Sequence, residues 1–114
     1  MRQISEISSD PKQKFTFITD DNISFEFKLE FIASQQGWFY SLKYQNLSIN
    51  GNRLVMDINI LRNYKNILPF GIGITTDNAT EPFLIDDFTT GRVKFYLLDK
   101  AEVKDLETTF YNNL

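Results

Sequence analysis

Apolar and polar side chains alternate along much of this chain, which is the period of a β-strand with one buried face. The clearest run is residues 23–31, where Ile, Phe, Phe, Leu and Phe take the odd positions and Ser, Glu and Lys lie between them. Residues 15–19 show the same alternation, and the intervening Asp20-Asp21-Asn22 is typical of a turn. The two runs are therefore predicted to form a hairpin.

Five further strands are predicted from the same pattern. Residues 38–44 follow a Gln35-Gln36-Gly37 turn. Residues 54–58 are predicted to follow a hairpin turn at Asn50-Gly51-Asn52, because Asn and Gly both accept a positive φ. The other predicted strands are residues 70–75, 92–97 and 3–7. This pattern predicts a mainly β fold, a small antiparallel β-sandwich or partly open barrel of about seven short strands.

Two segments between the strands lack this alternation. Residues 61–68 are irregular, and residues 77–91 are rich in Thr, Asp and Pro. The second segment is predicted to be a surface loop with a single helical turn around residues 85–88. With 114 residues and no repeat or linker, the chain is expected to be a single all-β domain over residues 1–114.

The end of the chain shows a helical pattern. Asp99 and Glu102 have the spacing of a capping box, and Val103, Leu106 and Phe110 recur on one helical face. These residues predict one short C-terminal helix.

The composition excludes several kinds of chemistry. The chain has no His and no Cys, which removes an imidazole base, a thiolate nucleophile and a Cys/His zinc site. Asp20-Asp21 and Asp86-Asp87 could serve acid/base chemistry or Ca²⁺, but both pairs lie in predicted turns, where carboxylates are expected to be solvated. Gly71-Ile72-Gly73 lies in an apolar run, where glycines let another backbone approach or mark a bulge. A Ser/Lys or Tyr/Lys catalytic pair stays open, but the sequence has no nucleophile elbow, phosphate loop or dinucleotide fingerprint, and we expect no enzyme activity, no metal and no cofactor.

Charge and hydropathy narrow the range of partners. The net charge is −3 and the two signs are interspersed, which argues against a specific nucleic-acid partner. The longest apolar stretch, residues 67–74, is short and interrupted by Pro and Gly, and the first residues contain no apolar core of a signal peptide. Neither a signal peptide nor a membrane span is predicted.

Aromatic residues are more numerous than a small two-layer core needs, with 11 Phe, 5 Tyr and 1 Trp. Trp38 is expected in the core, since Trp is highly buried on average. The surplus is predicted to contact a partner protein. The interface candidates are Phe39, Tyr40, Tyr44, Phe70, Phe83 and Phe88. The alternative is a small carbohydrate- or peptide-binding module with Trp38, Tyr40 and Tyr44 as an exposed platform.

The order of short motifs over residues 15–98 resembles that of a known family. The motifs are Phe-x-Phe-x-Leu at residues 25–29, Gln36-Gly37-Trp38, Ile60-Leu61, Pro69-Phe70-Gly71, Glu81-Pro82, Asp86-Asp87-Phe88, Gly91-Arg92-Val93 and Tyr96-Leu97-Leu98. Together they resemble the small baseplate plug proteins of contractile-tailed bacteriophages.

The resemblance implies an all-β structural virion protein without catalytic residues. Such a protein docks with the central hub and the tail tube and closes or stabilises the lumen before contraction. The resemblance also implies other baseplate and tail proteins as partners, a homo-oligomer in the assembled particle, and a location in the tail baseplate after assembly in the host cytoplasm.

Overall fold

A computed structural model describes residues 1–110 of the chain, which form seven strands in two antiparallel sheets and one α-helix. The elements are β1 (Arg2–Ile4), β2 (Lys12–Ile18), β3 (Ser24–Ile32), β4 (Gly37–Tyr44), β5 (Leu47–Arg53), β6 (Phe70–Thr76), β7 (Val93–Asp99) and α1 (Lys100–Phe110). Short 3₁₀ helices lie at Ala33–Gln35 and Arg62–Tyr64. One sheet has the strand order β1-β7-β6 and the other β2-β3-β4-β5. The predicted mainly β fold is confirmed, as two open sheets rather than a closed barrel.

The core lies between the two sheets and is rich in aromatic rings. In β3 the side chains of Phe25, Phe27 and Leu29 are buried, and the polar side chains between them are exposed. Across the sheets, the ring centroids of Phe25 and Phe70 are 4.0 Å apart, and those of Phe27 and Phe95 are 5.3 Å apart. Much of the aromatic surplus is therefore used to hold the two sheets together.

The strongest sequence patterns predict the strands correctly. The hairpin of β2 and β3 is confirmed, with Phe17 paired with Phe25 and a turn in which Asn22 has a φ of 60°. The strands predicted at residues 38–44, 70–75 and 92–97 correspond to β4, β6 and β7. The N-terminal strand is shorter than predicted and pairs with β7.

The prediction of a strand at residues 54–58 is wrong. The strand is β5, and the hairpin turn lies at Gln45, which has a φ of 51°, and Asn46. The Asn-Gly pair lies inside β5 instead, where two residues oppose Ser41 in a β-bulge and Gly51 has a φ of 65°. A bulge and a hairpin turn both need a positive φ, so the local sequence does not distinguish them.

Residues 57–60 cover the free edge of β6. Asp57 bridges to Ile74, and the backbone N–H of Ile60 donates to the carbonyl of Ile72 at 2.8 Å. A Cβ at Gly73 would lie 3.0 Å from the carbonyl oxygen of Ile58. The glycine therefore permits the close backbone approach that the sequence predicts.

The predicted C-terminal helix is confirmed as α1. Its capping box is formed as expected, because Asp99 Oδ1 accepts from the N–H of Glu102 at 2.8 Å and Glu102 Oε1 accepts from the N–H of Asp99 at 3.1 Å. Val103 is buried where α1 packs against β6 and β7. The side chain of Phe110 lies outside the described part of the chain, as do residues 111–114. Within residues 1–110, no helix combines the length and the apolar character that a membrane crossing requires.

Candidate protein–protein interface

Residues 77–92 connect β6 to β7 and are called here the acidic loop. They contain four acidic side chains and one basic one, so this loop alone accounts for the net charge of −3, and the rest of the chain carries 11 charges of each sign. At its centre lie three consecutive apolar residues, Phe83, Leu84 and Ile85, called here the apolar tip. The loop therefore differs in both charge and hydropathy from the surface around it.

A buried carboxylate holds the apolar tip in place. The side chain of Asp87 is 0% exposed, and its Oδ2 accepts hydrogen bonds at 2.8 Å from the backbone N–H groups of both Phe83 and Leu84. The expectation that Asp87 is a solvated turn residue is wrong, whereas its neighbour Asp86 is exposed as expected. The backbone of the tip is thus bonded to a group inside the protein.

Arg92 completes this arrangement, which we call the Asp87–Arg92 clamp. Its Nε and Nη2 donate to Oδ1 and Oδ2 of Asp87, both at 2.8 Å, in the bidentate geometry of a strong ion pair. The same guanidinium also donates to the carbonyl oxygens of Thr80 at 3.0 Å and Glu81 at 3.1 Å. One side chain therefore ties the first half of the loop to the second.

The environment of the clamp favours both charged forms. Burial by itself would raise the pKa of Asp87, but hydrogen bonds from Arg92 and from two backbone N–H groups outweigh it, so the pKa lies below its usual range. The hydrogen bonds with Asp87 also raise the pKa of Arg92 above its ordinary value, against the opposing effect of burial. The ion pair is consequently intact at neutral pH.

Trp38 provides a second anchor, from the other sheet. Its indole Nε1–H donates to the carbonyl oxygen of Leu84 at 3.0 Å, and its ring meets that of Phe88 edge to face with centroids 5.4 Å apart. Trp38 is fully buried, as the sequence predicts. The acidic loop is thereby attached to both sheets.

The side chains of the apolar tip nevertheless face solvent. Phe83, Leu84 and Ile85 are 39%, 43% and 41% exposed, and the guanidinium of Arg92 lies over the Phe83 ring at 4.8 Å from its centroid. A run of three exposed apolar residues is unfavourable in a monomer unless it has a function. Because the backbone is already ordered, contact through this tip would cost little conformational entropy.

The six predicted interface residues lie in different environments. Tyr40 and Phe70 belong to the core and are 4% and 1% exposed. Phe39 and Tyr44 are half-buried, the first beneath the guanidinium of Arg53 and the second against the ring of Phe70. Tyr40, Phe70 and Tyr44 therefore pack the sandwich, whereas Phe39 lies on the opposite face of β4 from Tyr40.

Phe83 and Phe88 are the two candidates that lie on the acidic loop. Phe83 is exposed in the apolar tip, and Phe88 is half-buried against Trp38. Sequence reasoning missed Leu84 and Ile85, although an apolar run in a predicted surface loop was a usable signal. An exposed platform of Trp38, Tyr40 and Tyr44 is not formed, because the first two are buried.

Within residues 1–110, no three acidic side chains come close enough together to hold a metal ion. Burial raises the pKa of Tyr40, which keeps its hydroxyl protonated at neutral pH. The fold and the apolar tip together are typical of a small structural protein that acts through contacts with other proteins.

Comparison with known families identifies the protein more closely. The profile of the family described as cyanophage baseplate Pam3 plug gp18 matches residues 1–100, and the chain belongs to this family. The resemblance that the sequence motifs suggested is thereby confirmed, and with it a structural role in the tail baseplate of a phage virion. None of the curated proteins compared with the chain matches it.

Proposed function

We propose that the chain is a plug that docks with the central hub and the tail tube, in several copies, and closes or stabilises the tail lumen before contraction. We also propose that the chain is assembled into the virion in the host cytoplasm and that it has no enzyme activity. The observation that carries it is the apolar tip, which is exposed while its backbone is held by the Asp87–Arg92 clamp. The tip is the surface through which the chain is held in the baseplate.

The size of the apolar tip suits a docking role. Three side chains that are each about two fifths exposed offer roughly 200 Å² of largely apolar surface. Burial of that surface at about 25 cal/mol per Å² contributes about 5 kcal/mol. A cluster of this strength resembles the few central residues that dominate the energy of a protein–protein interface.

The proposed absence of enzyme activity is supported by the residue types that the chain lacks and by the bonds that already occupy Asp87, whose pKa is lowered. The chain lacks His and Cys, and the buried carboxylate of Asp87 is fully engaged by Arg92 and the loop backbone. A carboxylate that accepts four hydrogen bonds inside the protein has no access to a substrate. The chemistry of the site therefore favours a positioning role for Asp87.

The test replaces two side chains of the tip and leaves Asp87, Arg92 and the hydrogen bonds between them in place. A double variant, Phe83→Ala with Leu84→Ser, is expressed together with the hub and tail-tube proteins of the same phage, and its amount in purified baseplates is measured by quantitative mass spectrometry. We expect the incorporation to fall by at least about tenfold, because the largest part of the apolar contact is lost.

Ile18→Ser is the matched control, since Ile18 is 53% exposed on β2 and lies outside the acidic loop. This variant should be incorporated like the unmodified chain. Thermal unfolding of each purified variant shows whether the sandwich is intact. Normal incorporation of a folded tip variant would overturn the proposal.

A further inference from the structure

A second unusual surface lies on α1 and is called here the lysine cleft. The cleft has a volume of about 280 Å³. It is lined by Lys65, Asn66, Leu68, Lys100, Val103, Lys104 and Glu107. It lies between α1 and the chain segment that leads into β6, so two separate parts of the sequence form its walls.

The lysine cleft combines an apolar floor with a basic rim. Leu68 and Val103 are buried at its base, and Ile67 beside it is 63% exposed. Lys100 and Lys104 make no ion pair with any residue in the range 1–110. A ligand suited to this cleft is therefore apolar at its centre and acidic at its edge.

Lys65 contributes less to the positive charge of the lysine cleft than Lys100 and Lys104 do. Its Nζ lies 2.9 Å from Glu107 Oε2, so this lysine is already partly neutralised. Asp105 follows Lys104 along α1 but points to another face of the helix, because residues one apart are separated by about 100°. The unpaired positive charge of the cleft therefore comes from Lys100 and Lys104.

The acidic loop has the complementary character. Its apolar tip is exposed, and the neighbouring carboxylate of Asp86 is exposed and makes no ion pair within the described residues. All of the excess negative charge of the chain lies in this loop. Tip and cleft thus match in both hydropathy and sign of charge.

The two surfaces lie at opposite ends of the hairpin formed by β6 and β7. The acidic loop joins Thr76 to Val93, whereas the lysine cleft lies beside Phe70 and Asp99, where β6 begins and β7 ends. A strand of seven residues spans about 24 Å. Because Trp38 and the Asp87–Arg92 clamp hold the loop at one end of the hairpin, the tip does not reach the cleft of its own chain.

We infer that the lysine cleft of one copy receives the apolar tip of the next copy, in a head-to-tail contact that forms a ring. The inference rests on the proposed function, because it names the neighbour that the tip contacts in the plug. A contact of tip against tip is disfavoured, since it would place acidic loop against acidic loop. A contact between two different faces of identical chains forms a ring where its rotation closes, and an open filament where it does not.

Disulfide trapping tests this contact directly, because the chain contains no Cys of its own. Ile85→Cys places a thiol on the apolar tip and Asn66→Cys places one in the lysine cleft. An equimolar mixture of the two variants is oxidised mildly at millimolar concentration. We expect cross-linked heterodimers in the mixture, and a ladder of oligomers when both substitutions are in the same chain.

The matched control is Ser48→Cys, on the exposed face of β5, in place of Asn66→Cys. Heterodimer yield should be at least about tenfold lower with this control, because random collisions do not hold the thiols together. Equal yields with the control would overturn the inference. Homodimers of Ile85→Cys in the same yield as the heterodimer would also overturn it, since they require the tips of two copies to meet.

Charge reversal adds a second readout. Asp86→Lys in the Ile85→Cys chain, or Lys104→Glu in the Asn66→Cys chain, should lower the heterodimer yield by at least about tenfold. Both reversals together should restore most of the yield. No loss on single reversal would contradict the assigned contact. Thermal unfolding identifies any variant that fails to fold, and Lys100→Glu then replaces Lys104→Glu.

Failure of the inference can be told apart from failure of the proposed function. If no specific cross-link forms but the tip variant is lost from baseplates, another baseplate protein occupies the tip, and only the head-to-tail contact is wrong. If the cross-links form as expected but the tip variant is incorporated normally, copies associate through the tip and the docking proposal is wrong.

Discussion

Replacement of Asp87 with Asn would remove the negative charge on which the acidic loop is built while leaving the side chain almost the same size. The carboxylate accepts four hydrogen bonds, from the N–H groups of Phe83 and Leu84 and from two nitrogens of Arg92. An amide has one acceptor oxygen, and its NH₂ group would face a donor on one side or the other. Oδ2 accepts three of the four bonds and Oδ1 accepts one, so one bond is lost if the amide oxygen takes the place of Oδ2, and three are lost if it takes the place of Oδ1.

The expected cost follows from the burial of the pair. Removal of one partner from a buried ion pair destabilises a protein by about 3–5 kcal/mol. The lower end applies here, because the side chain of Arg92 remains 15% exposed and keeps its bonds to two backbone carbonyls. A loss of about 3 kcal/mol corresponds to a Tm lower by about 12 °C for a chain of this length.

The chain's one tryptophan reports on the acidic loop. The indole N–H of Trp38 donates to the carbonyl of Leu84, so release of the loop should shift Trp emission to longer wavelength. We expect Asp87→Asn to show this shift at lower urea concentrations than the loss of far-ultraviolet circular dichroism. Asp86→Asn is the matched control, since that carboxylate is exposed, and its free energy of unfolding should change by less than about 0.5 kcal/mol.

A folded Asp87→Asn protein whose free energy of unfolding falls by less than about 1 kcal/mol, with Trp emission unchanged, would show that the loop does not depend on the Asp87–Arg92 clamp. An equal loss of stability in Asp86→Asn would also contradict the prediction, because the effect would then reflect the charge of the loop as a whole.

Three further predictions concern acid stability, the edge of β6 and the start of α1. Because the folded state lowers the pKa of Asp87, the contribution of this residue to stability is present above the unfolded pKa of about 3.9 and is lost as the pH falls through the folded value. The Tm difference between the unmodified chain and Asp87→Asn should therefore be constant from about pH 7 to 5 and shrink below about pH 4. A difference that stays constant to about pH 2 would contradict this. Gly73→Ala should destabilise the fold by about 1–3 kcal/mol in urea titrations, because its methyl group would press on the carbonyl of Ile58; unchanged stability would show that the segment yields easily. Asp99→Ala removes the N-terminal cap of α1 and should cost about 1 kcal/mol, whereas Asp99→Asn should lose less than half of that.

The part of the fold that was predictable depends on local patterns. In β3 the alternation of Phe25, Phe27 and Leu29 with charged residues predicts both the strand and its buried face. The capping box of α1 is likewise a short-range signal, since Asp99 and Glu102 are three residues apart. The Asn50-Gly51 pair shows the limit, because a bulge and a turn make the same demand on φ.

The candidate site was less predictable than the fold. Phe83 was expected to be exposed, but Tyr40 and Phe70, of the same residue class, lie in the core. Asp87 has the same sequence context as the exposed Asp86, and its burial depends on Arg92 five residues later and on the turn that brings the two together. Which aromatic or acidic residue is accessible is therefore decided by contacts between segments.

The sequence by itself determined the class of this protein: its alternation specifies strands, its lack of His and Cys removes imidazole, thiolate and Cys/His zinc chemistry, and its motifs indicate the plug family. Only the tertiary structure decided which apolar residues remain outside, how the acidic loop is held, and that the loop and the lysine cleft lie at opposite ends of one hairpin. The reason is physical. Period and composition act over a few neighbouring residues, whereas burial and charge pairing depend on which distant segments pack together.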